Sequence, residues 1–261
     1  MTPPRARSGS QQSAGTRPAA SGPDVTVRPA DTEPDPKAPG ASAPPSSGVG
    51  GRWGYWLAKR SLDVVASLLL LVLLLPVLLV LALAVRLSSP GPILFRQVRA
   101  GRYGRPFLML KFRSMRVDGD DAAHRAYVTA LLTQAAPPDG GQPGVYKLAS
   151  DPRITRVGSV LRCTSLDELP QLINVLRGQM SLVGPRPALP WEVELYEDAH
   201  RRRLDVPPGL TGLWQVSGRS TLTMRQALYL DVAYADRCSW MLDLRILCRT
   251  PAALRGRSGA R

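Results

Sequence analysis

The chain has 261 residues and a formal net charge of +14, and all but four of its 34 basic residues are arginines. Such a charge predicts an anionic partner: nucleic acid, an anionic membrane face or phosphorylated substrates. The three cysteines show no metal-ligand or CxxC spacing, and His124 and His200 stand far apart. This argues against a histidine-based metal site and a Ser-His-Asp triad, and it predicts reduced thiols and two surface histidines.

Residues 1–52 are dominated by Pro, Ala, Ser, Gly and Thr, with almost no large apolar side chains. A segment of this composition cannot bury enough surface to offset the entropy lost on ordering, so the sequence predicts a disordered tail. The tail has no apolar core region of the kind found in signal peptides.

Residues 53–90 contain the apolar run Val64–Val85, which carries no charge. As one helix these 22 residues would be about 33 Å long, enough to cross a bilayer core. The alternative is a buried helix of a soluble protein.

Pro76 interrupts this run near its middle and predicts a kink, since proline lacks the N–H that a continuous helix needs. Basic residues flank the run on both sides (Arg52, Lys59, Arg60; Arg86, Arg96, Arg99, Arg102). The positive-inside rule therefore places both ends in the cytoplasm. A re-entrant helix satisfies both flanks, whereas a single span satisfies only one.

Residues 91–261 predict a compact cytosolic domain that is mainly α with short β elements. ILFRQVRAG and FLMLKFRSM are typical of two strands joined by the turn GRYGRP. DGDDAAHRAYVTALLTQ predicts a helix, and AAPPDGGQPG a loop. The last apolar stretch, SWMLDLRILCRTPAALRGRSGAR, fits either a helix along a membrane surface or a core helix with a solvated face.

The adjacent acids Asp167 and Glu168 stand in the stretch SLDELPQLINVLRGQMSLVGPRP. Ser165 and Glu168 match the capping box S-x-x-E ahead of an apolar helical pattern, so Glu168 has a purely structural interpretation. In the other interpretation the helix starts near Pro170, because proline is tolerated at a helix start. Both acids then precede the helix.

Two carboxylates at one point suit Mg²⁺, which usually takes one or two carboxylates together with substrate phosphates. Arg162 lies just before the acids and Arg186 just after, in GPRP, where guanidinium groups can bind those phosphates. The sequence therefore predicts chemistry on a phosphate ester at the bilayer surface.

From about Lys59 to its C-terminus the chain resembles the bacterial sugar transferase family, the monotopic phosphoglycosyl transferases, in their small form. The resemblance rests on motifs that occur in the family's order: KRSLDVVAS, SSPGPILFRQVRAGRYGRPFLMLKFRSM, DPRITRVGSVLRCTSLDELPQLINVLRGQMSLVGPRP, PPGLTGLWQVSGR and LDLRIL.

The resemblance implies an enzyme that moves a sugar-1-phosphate from a UDP-sugar to polyprenyl (undecaprenyl) phosphate and releases UMP. By the same resemblance, Asp167 is the nucleophile that forms an aspartyl-phosphosugar intermediate, Glu168 assists, and both serve a required Mg²⁺. It also implies a re-entrant helix broken at Pro76.

The resemblance further implies four basic substrate-binding residues: Lys111 and Arg113 of KFRSM, Arg162 before the acids and Arg186 of the PRP turn. It places the enzyme at the cytoplasmic face of the cell membrane, in contact with lipid, at the initiating step of surface-polysaccharide assembly. The alternative is a non-catalytic membrane-tethered scaffold or regulator of that assembly.

Nucleic-acid binding is not expected, because the chain lacks zinc-finger, helix-turn-helix and RNP signatures. The sequence does not indicate which sugar is transferred or which polysaccharide is built. It leaves the oligomeric state open, and a homodimer is one of the options. Cys163 is expected to be a small buried residue. The run His200–Arg203 is expected to be a solvated helix face, with contacts to lipid headgroups or nucleotide as the alternative.

Overall fold

The computed structural model describes residues 53–116, 122–133, 153–218 and 222–255. The predicted disordered tail and the loop PPDGGQPG lie outside these ranges. The described part is mostly helical with four short strands, as the sequence predicted. Its elements are α1 (Trp53–Leu73), α2 (Leu75–Ser88), β1 (Leu94–Ala100), β2 (Pro106–Phe112), α3 (Ala122–Thr133), α4 (Arg156–Thr164), α5 (Gln171–Leu176), β3 (Ser181–Val183), α6 (Pro190–Glu194), α7 (Asp198–Arg201), β4 (Gly209–Thr211), α8 (Leu213–Val216), α9 (Met224–Arg237) and α10 (Trp240–Arg255).

The apolar run of the sequence forms two helices, α1 and α2, which meet at an angle of 65°. Pro76 is the second residue of α2, where its missing N–H matters least. No single helix of the described residues has the length and apolar character to cross a membrane, whereas the bent pair has both.

Helix α1 carries its polar residues toward the protein and its apolar residues outward. Lys59, Asp63 and Ser67, spaced four apart on one helix face, are all buried. Apart from Arg86 near the end of α2, the exposed large side chains of the two helices are apolar: Trp53, Leu57, Val65, Leu68, Leu69, Leu70, Val72, Leu73, Leu75, Val77, Leu79, Val80, Leu83 and Leu87. The outward surface of the bent pair is therefore one that water solvates poorly.

A buried polar cluster joins α1 to the C-terminal helices. Lys59 Nζ lies 2.8 Å from Asp243 Oδ2 on α10. The hydroxyl of Tyr234 donates to Asp243 Oδ1 at 2.7 Å, and that of Tyr55 donates to Oδ2 at 2.9 Å. Desolvation by burial and the Asp243 charge together raise the pKa of Tyr234, so its hydroxyl remains a donor.

Two further contacts along α1 bind the domain's backbone. Arg60 donates to the carbonyls of Val175 and Leu176 at 2.6 and 2.7 Å, and Asp63 accepts from the Leu182 amide at 2.9 Å. Lys59 and Arg60, counted in the sequence as membrane-flanking charges, are thus contacts inside the protein. They therefore say little about which side of a membrane the flank faces.

The predicted hairpin is confirmed. β1 and β2 pair antiparallel, from Leu94 opposite Phe112 to Ala100 opposite Pro106. β2 contributes Phe107 and Met109 to the main core. The other buried members of this core come from α5, β3, α9, α10 and the segments between them: Leu172, Val175, Met180, Leu182, Val183, Val206, Tyr234, Cys238 and Ile246.

β3 pairs with β4 in parallel, and the chain after β3 forms the Pro185-Arg186-Pro187 loop. The Ala100 amide at the end of β1 donates to the Ala188 carbonyl at 2.8 Å. The loop is therefore held between the parallel pair and the hairpin.

Helix α10 exposes apolar side chains on the face away from the core. Asp243 and Ile246 are buried, whereas Trp240, Met241 and Leu244 are at least half exposed. Arg245 and Arg249 are exposed on the same helix, so its exposed side chains are both apolar and basic. The membrane-surface interpretation therefore stays a prediction.

Three expectations for single side chains are wrong. His200 is buried against the ring of Tyr229, with ring centroids 5.1 Å apart. Arg203 is buried as well, so the run His200–Arg203 is only partly solvated. Cys163 is exposed rather than buried. His200 and Arg203 are buried by residues that are distant in sequence, Tyr229 and Asp231, which the sequence alone does not bring to them.

Gly158 on α4 allows close contact with the segment after β2. A Cβ at this position would lie 1.9 Å from the carbonyl oxygen of Ser114, which is backbone and cannot rotate away. We expect Gly158→Ala to destabilise the fold by about 2 kcal/mol through overpacking. The readout is the thermal unfolding midpoint. Gly54→Ala is the control, because nothing lies within 4 Å of its added methyl group and alanine favours the helix. Equal midpoints for the two variants would contradict this prediction.

Candidate active site

The two adjacent acids occupy a short 3₁₀ turn, Leu166–Glu168, between α4 and α5. Ser165 before them has left-handed backbone angles (φ 60°, ψ 15°) and forms no side-chain cap. α5 begins only at Gln171. The capping-box interpretation is therefore wrong, and both acids precede the helix.

The turn brings Glu168 to Lys111 on β2, with 3.3 Å between Oε1 and Nζ. Both side chains remain about a quarter exposed or less, at 26% and 20%. Asp167 is the preceding residue and is 8% exposed. One carboxylate thus faces a lysine while its neighbour lies largely shielded from water.

A pocket opens beside Glu168 and Lys111, and Arg186 of the Pro-Arg-Pro loop also lines it. The remaining lining residues come from β1, β2, α5, β4, α8 and the loop: Arg99, Met109, Gln171, Pro187, Gly209, Leu210 and Gln215. Three of the predicted site residues, Lys111, Glu168 and Arg186, therefore meet in one pocket, although Lys111 and Glu168 are 57 positions apart in sequence.

Two predicted substrate-binding arginines do not line this pocket. Arg113 is buried and donates to the carbonyls of Ser89 and Val85 at the end of α2, at 2.6 and 3.4 Å. Arg162 lies half-buried in the last turn of α4. Their assignment to substrate remains a prediction.

Sequence reasoning missed three polar residues of the pocket: Arg99, Gln171 and Gln215. The sequence did contain a signal for Arg99. It is an arginine at an inward-facing position of β1, the strand that pairs with β2, which carries Lys111. Gln215 presents a buried Oε1 that accepts no hydrogen bond from the described residues. An amide oxygen of this kind can accept from a ligand hydroxyl or N–H.

Two buried arginines hold the Pro-Arg-Pro loop by its backbone. Arg99 Nη1 donates to the Pro187 carbonyl at 3.1 Å, and Arg203 Nη2 donates to the Arg186 carbonyl at 2.7 Å. Arg203 also pairs with buried Asp231. Burial raises the pKa of Asp231 to about 6, although the positive charge of Arg203 acts to lower it. This carboxylate is therefore ionised at neutral pH.

The pocket carries more positive than negative charge. Its lining includes Arg99, Lys111 and Arg186 against the single carboxylate of Glu168. Among the described residues no group of three or more His, Cys, Asp or Glu side chains is arranged to hold a metal ion. A metal here would rely on the two adjacent carboxylates and on oxygens of a substrate, a ligand set that suits Mg²⁺.

Comparison with known proteins agrees with this geometry. The family profile described as bacterial sugar transferase matches residues 54–257, which include the bent helices, the acids and the pocket. The chain belongs to the bacterial sugar transferase family.

Relatives within the family are similar over most of the chain. The exopolysaccharide production protein ExoY of Sinorhizobium fredii is 40% identical over 205 residues, which cover 76% of the chain and 85% of the relative. The UDP-glucose:undecaprenyl-phosphate glucose-1-phosphate transferase of Caulobacter vibrioides is 45% identical over 208 residues, covering 76% and 70%.

Some sugar transferases of the family are much longer than the chain. The undecaprenyl-phosphate galactose phosphotransferase of Salmonella typhimurium is 39% identical over 202 residues, which cover 77% of the chain but only 41% of that enzyme. The similarity therefore concerns the part that carries the acids and the pocket.

Proposed function

We propose that the protein transfers a sugar-1-phosphate from a UDP-sugar to polyprenyl phosphate, releases UMP, and so starts the assembly of a surface polysaccharide. The observation that carries the proposal is the pocket in which Glu168, Lys111 and Arg186 meet. Asp167 directly precedes Glu168 on the same turn but is not among the residues that line the pocket. The relatives named as undecaprenyl-phosphate sugar phosphotransferases support the same reaction.

In the first step a carboxylate oxygen of Asp167 attacks the phosphorus that bears the sugar. The bond from that phosphorus to the bridging oxygen breaks, and UMP leaves with the electron pair. In the second step an oxygen of the polyprenyl phosphate attacks the same phosphorus, and the aspartyl bond breaks. A difficult displacement is thereby divided into two easier ones.

The basic residues of the pocket stabilise the charge on the reacting phosphates. Lys111 and Arg186 place an ammonium and a guanidinium group at a pocket that is only partly open to water, where such charges act strongly. Glu168, already 3.3 Å from Lys111, is positioned to assist Asp167 at the same centre.

Asp167 and Glu168 are the residues that would hold Mg²⁺, since two neighbouring carboxylates leave the remaining coordination positions to substrate phosphates and water. When bound, the ion supplies charge neutralisation for the phosphates. The protein's own contribution is to keep both carboxylates on one rigid turn between α4 and α5.

The membrane part of the proposal concerns the bent pair α1 and α2. Its 65° bend and its outward apolar side chains support a re-entrant helix that enters one leaflet and returns to the cytoplasmic face. Lys59 of α1 and Asp243 of α10 hold these two helices together, and α10 also exposes Trp240, Met241 and Leu244. A membrane-held enzyme meets the lipid acceptor without extracting its chain, which would cost about 0.8 kcal/mol per CH₂.

The test is UMP release by the protein in nanodiscs, supplied with Mg²⁺, undecaprenyl phosphate and a panel of UDP-sugars. We expect UMP with at least one donor, and that donor identifies the sugar. Release of UDP instead would mean transfer of the bare sugar. Folded protein that releases neither nucleotide with any donor would favour a non-catalytic scaffold.

Removal of divalent cations gives a separate prediction. We expect EDTA to abolish UMP release and added Mg²⁺ to restore it, because the two carboxylates repel the anionic diphosphate unless a cation lies between them. The thermal unfolding midpoint measured with and without EDTA is the control, and it should change little. Full activity in EDTA would contradict the metal assignment.

A further inference from the structure

We propose that Arg99 is a third basic substrate-binding residue, which holds the diphosphate of the donor at the floor of the pocket. This inference rests on the proposed function and deepens it. In the sequence analysis the FRQVRAG stretch that contains Arg99 is a strand, a charged flank and part of a family motif, and no binding role is given to Arg99.

Arg99 lies near the end of β1 and lines the same pocket as Lys111, Glu168 and Arg186. Only 7% of Arg99 is exposed, whereas Arg186 is an exposed residue. The two arginines therefore mark the floor and the rim of one pocket. A diphosphate that enters past Arg186 meets Arg99 at its inner end.

The hydrogen bonds of Arg99 hold its guanidinium plane without neutralising it. Nε and Nη2 donate to Gln97 Oε1 at 3.1 and 2.7 Å, and Nη1 donates to the Pro187 carbonyl at 3.1 Å. Both acceptors are uncharged amide oxygens. These bonds use three of the five N–H groups, which leaves one on each terminal nitrogen for the two oxygens of a phosphate.

No carboxylate of the described residues is hydrogen-bonded to Arg99, although Glu192 and Glu168 lie near enough to favour its charged form. None of these carboxylates forms a salt bridge with Arg99, and the bonds above are its only hydrogen bonds within that part of the chain. Burial and the nearby charge of Arg186 lower the pKa of Arg99 to about 10. At neutral pH the group is still a cation, and a buried cation costs free energy unless an anion pairs with it.

A purely structural role is the competing explanation, because Arg99 also holds the Pro187 carbonyl. The two roles differ in what they predict. A structural clamp affects the stability of the loop, and any loss of donor binding follows that instability. A phosphate ligand affects the affinity for a diphosphate even when the fold is intact.

The experiment measures the affinity of the nanodisc-held protein for UDP in Mg²⁺ buffer by titration calorimetry. We expect Arg99→Gln to raise the Kd for UDP about 10- to 100-fold, as loss of a charge-assisted contact does. The matched control is Arg96→Gln, which removes the same charge from an exposed position of the same strand. We expect it to change the Kd less than about twofold.

Arg99→Lys covers the case in which the glutamine variant fails to fold. Lysine keeps the charge but not the bidentate fork, so we expect a Kd for UDP raised about fivefold or more at an unfolding midpoint near that of the wild type. An Arg99 variant with a lowered midpoint and an unchanged Kd would reduce the residue to a clamp and overturn the proposal.

Two outcomes separate this inference from the proposed function. Wild-type protein that fails to bind UDP would overturn the inference, whatever its turnover. If the wild-type protein binds UDP through Arg99 but releases no UMP from any UDP-sugar, the assignment of Arg99 as a binding residue stands. The proposed reaction is then overturned.

Discussion

We expect Asp167→Asn to abolish UMP release, by about 10³-fold or more, because an amide cannot form the phosphorus–oxygen bond that the proposed first step requires. Asparagine keeps the size of the side chain on the turn Leu166–Glu168, so the fold and the pocket should persist. The measurement is initial-rate UMP release in nanodiscs with the donor found to be active for the wild type.

Glu168→Gln is the matched variant at the adjacent position. It removes the partner of Lys111 but leaves the proposed nucleophile, so we expect a smaller loss of about 10²-fold. Mass spectrometry of protein incubated with donor alone should detect a sugar-phosphate adduct on the wild type and none on Asp167→Asn. Equal rates for the two variants, or an adduct on the asparagine protein, would contradict the assignment of Asp167 as nucleophile.

The elements that local sequence signals determine were predicted well. The glycine-rich turn between two apolar runs predicted the hairpin, and the structure pairs β1 with β2 throughout. Pro170 favoured the interpretation in which α5 starts after the acids, which is confirmed, over the capping box at Ser165 and Glu168, which is wrong. Such signals lie within a few residues of the feature that they specify.

The features that depend on distant contacts were missed. The role of Lys59 depends on Asp243, 184 positions away, and that of Arg99 depends on a loop 88 positions away. His200 is buried because α9 supplies Tyr229 as its neighbour. Charge and composition predicted an anionic partner, but they could not distinguish a basic residue that lines the pocket from one that binds the backbone elsewhere.

The position of Arg113 illustrates this limit. The family resemblance of KFRSM implied a substrate-binding role for both Lys111, on β2, and Arg113, just after it. In the structure Lys111 reaches Glu168, whereas Arg113 donates to carbonyls at the end of α2. The carbonyls at the end of α2, which the sequence does not place near Arg113, decide its environment.

The second large effect is expected at the buried pair of Lys59 and Asp243. Lys59→Met leaves a carboxylate that is almost fully buried without its cation, since the side chains are 5% and 3% exposed. Breaking a buried pair in this way costs about 3–5 kcal/mol. We expect the thermal unfolding midpoint in nanodiscs to fall by about 10 °C.

An exposed pair of the same kind provides the control. Arg202 Nη2 lies 2.6 Å from Asp236 Oδ1, but the two side chains are 60% and 36% exposed. Since water already solvates both partners, Arg202→Met should cost less than about 1 kcal/mol. The comparison separates the effect of burial from that of a short contact distance.

The double variant Lys59→Met with Asp243→Leu decides the mechanism. If the cost of Lys59→Met is that of an uncompensated buried charge, removal of both charges should recover most of the lost stability, although Tyr55 and Tyr234 lose their acceptor. A double variant as unstable as the single one would instead show that the pair itself holds α1 against α10. In that case the polar face of α1 is the main attachment of the bent helices to the catalytic domain. A single variant no less stable than Arg202→Met would contradict both explanations.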